Sequence, residues 1–143
     1  MIQVSTRLHA PGTIESQKLN YVVMGARYLE KWIFVRHRER TTWEMVSGHI
    51  EAGETADQAA VRELSEEAGV VNSSMKALCD YEVEVKGIKE YGRFYGVEVR
   101  ELNPLLEHET EELVLADTLP DALTYPEVHV LLFQRALEHF GLS

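Results

Sequence analysis

Glu54, Glu63, Glu66 and Glu67 crowd four carboxylates into a short run in which Arg62 is the one basic residue. On a helix turning about 100° per residue, Glu63, Glu66 and Glu67 fall within an arc of roughly 100°. Like charges at these spacings repel by about a few tenths of a kcal/mol per pair in water, and by more as they are buried. Oxygen-rich, carboxylate-dominated sets without His or Cys suit a hard divalent cation, Mg²⁺ or Mn²⁺. A solvated acidic helix face is the ordinary reading of a glutamate cluster. It is set aside here because Gly48-His49-Ile50-Glu51-Ala52-Gly53-Glu54 precedes the helix and adds two glycines and two acids at fixed distance.

The elements that must hold this cluster can be read from periodicity. Thr55 with Gln58 three residues on makes a capping box, and Gly69 is a left-handed stop, so a helix is expected from 55 to 68. Ala60, Val61, Leu64 and Ala68 should face a core. Residues 21–27 and 32–37 read as strands joined by a turn at Leu29-Glu30-Lys31. Residues 43–46 make a short strand leading into the glycine loop. Residues 75–85 and 94–101 alternate as a long hairpin, with 86–92 as its connection. A further short strand covers 113–115. The last element, 126–140, is an amphipathic helix with Thr124 and Glu127 as a capping box and Pro126 in its first turn. A strand-rich chain with one central and one C-terminal helix points to α/β or α+β architecture with a mixed sheet.

Gly48, Glu54 and Arg62-Glu63-Leu64-Ser65-Glu66-Glu67-Ala68-Gly69-Val70 match every fixed position of the Nudix box, G-x5-E-x7-R-E-U-x-E-E-x-G-U with U aliphatic. The run resembles that of the Nudix hydrolases, of the MutT-like kind. The resemblance implies one domain over residues 1–143, an α/β/α sandwich in which the box forms a loop–helix–loop. It also implies Mg²⁺ or Mn²⁺ held against a diphosphate linkage. Glu66 and Glu67 are then metal ligands, and Glu63 is a further ligand or the base that deprotonates water. The backbone carbonyl of Ser47, where relatives usually carry glycine, joins them. Arg62 fixes a carboxylate, and Glu54 buttresses the loop. Relatives often add an acid from a later loop; Glu109 is favoured here, with Glu112 next.

Outside the box, Arg36-His37-Arg38 and Arg40 gather positive charge before Trp43. Arg36, Arg38 and Trp43 are the candidates for contact with a substrate phosphate or base. A charged strand end and turn is an equally good account of the arginines, and an aromatic such as Trp43 is more often core. Tyr81, Tyr91 and Tyr95 could stack on a base, although strand aromatics are more often core. His49 is expected to face solvent.

Composition narrows the partners. At 143 residues and 45% hydrophobic content the chain can bury one real core. A formal net charge of −10 disfavours polymeric nucleic acid, whose binding relies on basic surface. An anionic small molecule is compatible, because a bound metal reverses the local sign. Residues 1–10 lack a long apolar run, so neither a signal peptide nor a membrane anchor is expected there. The single cysteine, Cys79, rules out an internal disulfide framework and fits a reducing cytoplasm. It reads as a buried apolar thiol.

The resemblance implies hydrolysis of a nucleoside diphosphate linked to another group. The short single domain looks like the nucleoside triphosphate pyrophosphohydrolases, including those acting on 8-oxo-dGTP. ADP-ribose or another nucleotide conjugate is the alternative substrate, and a non-catalytic nucleotide-binding module is the alternative from another class. Edge strands near 1–14 and the long hairpin offer a route to a homodimer, which composition leaves open.

Overall fold

The computed structural model describes residues 3–103 and 112–143. In chain order the elements are β1 (Val4–His9), β2 (Tyr21–Tyr28), β3 (Lys31–Arg36), β4 (Val46–His49), α1 (Ala56–Ala68), β5 (Val70–Val85), β6 (Ile88–Leu102), β7 (Glu112–Ala116) and α2 (Pro126–His139). The strands form one seven-stranded mixed sheet ordered β1-β5-β6-β2-β3-β7, with β4 paired to β2 off that line. β2 runs parallel to β6 and antiparallel to β3 and β4. No helix among the described residues is long and apolar enough to cross a membrane.

Successive strand residues point to opposite faces, and each face has its own core. Val22, Met24, Ile33 and Val35 pack on one side with Ala60, Leu64 and Ala68 of α1. Val23, Trp32 and Phe34 pack on the other with Leu132, Phe133 and Ala136 of α2, and Cys79 is buried among them. Trp32 meets Phe133 and Phe140 edge-on, with ring centroids 4.8 and 5.5 Å apart. This is the α/β/α sandwich expected from the sequence. A central strand covered on both faces explains why residues 22–26 read as an unbroken apolar run.

Several local expectations change. Thr55 and Gln58 do form the capping box, and Gly69 closes α1 in the left-handed region at φ 68°. Val61, however, is 57% exposed, and Ala59 takes its place in the core. The strand expected at 43–46 begins only at Val46. Glu44 exchanges two backbone hydrogen bonds with Val35 (2.9 and 3.0 Å), while Trp43 bonds to Ala122 and Thr124. The connection in the long hairpin is two residues, Lys86 and Gly87, both at positive φ, so both strands run on past their expected ends. The α2 capping box does not form. Tyr125 is the N-cap with no side-chain cap bond, and the Thr124 hydroxyl pairs instead with that of Thr42 at 2.7 Å.

The β2–β3 hairpin turns on Leu29 and Glu30, at φ 52° and 65°. Two successive left-handed residues are the geometry that Asn-Gly supplies without strain. Replacing Leu29-Glu30 by Asn-Gly should therefore stabilise the fold by about 1 kcal/mol, read as a raised urea midpoint with unchanged slope. An unchanged or lower midpoint would refute this account of the turn.

Candidate active site

The cap at Thr55 fixes the start of α1, and α1 in turn presents Glu63 and Glu67, both buried, toward β4. Contact there is close. A Cβ on Gly48 would overlap the carboxyl group of Glu63, so a side chain there would displace that carboxyl from its place beside Arg62. Gly53, at φ 81°, is the glycine needed for backbone conformation. Glu67 Oε1 accepts the backbone N–H of Ser47 at 2.9 Å. Its Oε2 lies 3.1 Å from His37 Nε2, which also lies 3.3 Å from Glu44 Oε1.

Arg62 commits every donor of its guanidinium. Nε and Nη2 grip Glu54 at 2.6 and 2.9 Å, and Nη2 also donates to the carbonyl of His49 at 2.9 Å. Nη1 donates to Glu63 at 2.7 Å and to Glu66 at 3.1 Å. Glu54 in addition accepts the Glu51 N–H at 3.0 Å, which ties the loop to the helix. Arg62 thus binds the acids to one another and to the loop.

Burial and partners set the proton affinities. Burial pushes Glu63 up to about 7, against the bond from Arg62 and with help from the nearby charge of Glu67. Burial also raises Glu67, opposed by its bonds to His37 and Ser47. The bond to Glu67 raises His37, opposed by burial. Glu54 is pulled down to about 2 by Arg62. Glu44 is buried, and its Oε2 has no partner among the described residues.

These groups form one end of an open cleft of about 820 Å³. The sheet order places β1, β5, β6 and β2 along the remainder, where Val4, Val83, Val85, Tyr81 and Tyr21 line the floor, α2 and its N-cap supply Tyr125, Val128 and His129, and Glu90 and Glu127 are the acids. One end is carboxylate-rich and the other is largely apolar and aromatic.

The expected residues divide accordingly. Glu63, Glu66, Glu67, Arg62 and Ser47 come together at the acidic end. Arg36, Arg38 and Trp43 do not line the cleft. Arg36 bonds to the carbonyl of Arg40 (3.0 Å) and to Glu112 (3.3 Å) at the β3–β7 edge. Arg40 lines the cleft instead, its guanidinium 5.8 Å from the Tyr125 ring centre. Tyr81 lines the cleft, whereas Tyr95 donates to Asp57 at 2.5 Å. His49 is exposed, tilted against Tyr21 with ring centroids 4.5 Å apart. Glu109 lies outside the described residues.

Glu44 and His129 were not singled out by spacing, and His37 was named only within the run of cations before Trp43. A charge inside the apolar stretch at 43–46 and a histidine on the apolar face of an amphipathic helix were the available signals.

The donor set suits a divalent cation. Glu44 Oε2 is a buried carboxylate oxygen with no donor, and two neighbouring buried carboxylates have raised proton affinity. A hard cation relieves that condition. Among the described residues no three acid or imidazole groups stand close enough together to ligate one ion. In this arrangement Arg62 stands between Glu63 and Glu66, and His37 between Glu44 and Glu67.

The family model described as NUDIX domain matches residues 18–132. A Bacillus subtilis (strain 168) protein, YtkD, named provisionally as an 8-oxo-dGTP diphosphatase, is 31% identical over 110 residues, 76% of this chain and 69% of that protein. A Mycobacterium tuberculosis (strain CDC 1551 / Oshkosh) protein named provisionally as the mutator protein MutT4 is 50% identical over 44 residues, 31% of this chain. That match spans 18% of the mycobacterial protein. The crystal structure of a Bacillus subtilis pyrophosphohydrolase, BsRppH, solved as a mutant, superposes with a TM-score of 0.83 at 24% identity. The overlap covers 99% of this chain and 95% of that one, a likeness of fold.

The raised proton affinity of Glu63 fixes the sign of a stability effect. Without metal, folded Glu63 keeps its proton to about pH 7, whereas the unfolded chain releases it near the ordinary value of 4.5. Between those values the folded state binds more protons, so stability falls as pH rises. Glu63→Gln removes that loss. Thermal melts in EDTA should show a smaller drop in Tm from pH 5 to pH 7.5 than wild type, by roughly 3 °C. Parallel curves would contradict it.

Proposed function

The chain belongs to the NUDIX family, and on that premise we propose that it hydrolyses a phosphoanhydride bond in a nucleotide with a divalent cation bound. The substrate we favour is a (deoxy)nucleoside triphosphate, with 8-oxo-dGTP in range, cleaved to the monophosphate and pyrophosphate. The observation that carries this reading is the two-ended cleft, in which buried Glu63 and Glu67 face the same space as an apolar, aromatic end. Its volume of about 820 Å³ lies within the range of nucleotide-sized pockets. The relative named for 8-oxo-dGTP supports the same substrate class.

Glu66 and Glu67, with the carbonyl of Ser47, would hold Mg²⁺ or Mn²⁺. When bound, the ion neutralises phosphate oxygens and acidifies water. Glu63 is the base: Arg62 Nη1 holds its carboxyl beside Glu66 and Glu67, within reach of water that a bound ion would acidify. Arg62 aims Glu63 and Glu66 through Nη1 and has no donor left for the substrate. His37 holds the outer oxygen of Glu67 while the Ser47 N–H holds the other. Arg40, which lines the cleft beside Tyr125, is the cation we assign to a substrate phosphate. In the balance of the reaction, water adds across the anhydride. Its oxygen bonds to phosphorus, one proton passes to Glu63, and the bridging oxygen leaves with pyrophosphate.

A panel of canonical and oxidised nucleoside triphosphates, ADP-ribose and dinucleoside polyphosphates, assayed with Mg²⁺ or Mn²⁺, tests the proposal. We expect pyrophosphate and monophosphate from the triphosphates. Glu63→Gln and Glu67→Gln should each cut kcat by about 10²-fold or more, with the far-UV circular dichroism of the folded protein retained. No turnover of any panel member, or full activity in Glu67→Gln, would end this reading. Turnover of ADP-ribose alone would replace the substrate class.

A further inference from the structure

One polar group in the apolar end of the cleft has no role in the chemistry described above. His129, on α2, is 2% exposed and lines the cleft wall. Its Nδ1 lies 3.3 Å from the backbone nitrogen of Met45. That nitrogen carries a hydrogen and can only donate, so Nδ1 must offer a lone pair and the ring proton must sit on Nε2. Nε2 finds no acceptor among the described residues. Tyr125 stands beside the ring, with centroids 5.8 Å apart. Burial presses the imidazole pKa down to about 4, so the ring stays neutral at ordinary pH.

Resting on the nucleotide reading above, we propose that His129 is a specificity-determining residue: its Nε2–H donates to a carbonyl oxygen on the base and selects oxo-bases over amino-bases. His129 lines the same part of the cleft as the rings of Tyr21, Tyr81 and Tyr125. A neutral imidazole that resists a second proton is a poor partner for a phosphate, and Arg40 already offers a full charge for that purpose. It suits an uncharged acceptor. Guanine and hypoxanthine present a carbonyl oxygen where adenine presents an amine. An amine facing Nε2–H would set donor against donor, leaving both unpaired in a desolvated place. The same logic ranks uracil above cytosine.

The test is binding rather than turnover, so that base preference is read apart from chemistry. Affinities of the non-hydrolysable α,β-methylene triphosphates of inosine and adenosine are measured by calorimetry with Mg²⁺ present. Wild type should bind the inosine analogue about tenfold tighter, the value of one hydrogen bond of this kind. His129→Phe keeps a planar ring and removes the donor, and should bring the ratio close to one. His129→Asn retains an acceptor for the Met45 N–H and a donor toward the cleft, and should restore the preference. In wild type, the side-chain ¹⁵N shifts of His129 should report the Nε2–H form, and the Nε2 signal should move on adding the inosine analogue. This readout stands even if His129→Phe does not fold. An Nδ1–H tautomer, or an unchanged ratio in a folded His129→Phe protein, overturns the inference and leaves the nucleotide reading intact. Failure of wild type to bind either analogue overturns both.

Discussion

Every donor of one guanidinium is spent among acids and a loop carbonyl, and the acidic end of the cleft rests on that arrangement. Without Arg62, Glu54, Glu63 and Glu66 would repel one another across a partly desolvated space. Nothing else in the box carries a positive charge. A lysine at the same place has three donors on one point and could not hold Glu54 in a two-pronged grip while reaching Glu63 on the other side. Arg62 also reaches the carbonyl of His49, so the conformation of the loop after β4 is set by the side chain that orders the helix. Loop and helix are one unit, joined through a planar fork.

The remaining carboxylates are handled differently. Glu67 and Glu44 sit deeper, and their neighbours are His37 and the backbone of Ser47. One oxygen of Glu44 has no partner among the described residues. A buried carboxylate oxygen without a donor, as at Glu44 Oε2, is where a hard cation would relieve the cost of burial. The sheet makes that burial possible. Among the described residues β4 pairs with the first half of β2, and the chain before it exchanges bonds with Val35, which brings Glu44 to the same His37 nitrogen as Glu67.

The layered fold was legible because a strand covered on both faces and a capped amphipathic helix leave clear periodic marks. The errors came where tertiary contacts compete with local chemistry. Thr124 has the right spacing to Glu127 for a capping box but finds a hydroxyl partner in Thr42, remote in sequence. Val61 lies at the margin of the apolar arc, and the sheet beneath α1 is met by Ala59 instead. Lys86-Gly87 makes a tight turn although lysine rarely adopts positive φ, so propensity placed a loop where two long strands simply continue. At Gly48 it is not the backbone conformation but the carboxyl group of Glu63, on the next element, that a side chain would meet.

The site divides along the same line. Its acidic end comes from residues 44–67, close in the chain, where spacing carries most of the geometry. Its apolar end is gathered from β1, β2, β5 and α2, and no short window of sequence contains it. The chemistry could therefore be inferred from a motif, while the group to be recognised could not. His129 shows why. In sequence it is one histidine on the buried face of a helix, and ordinary packing explains it. Only the Met45 N–H, brought near by the fold, decides which ring nitrogen holds the proton and turns a packing residue into a directed donor. Reaction type is written locally in this chain, and selectivity arises from contacts the fold must first assemble.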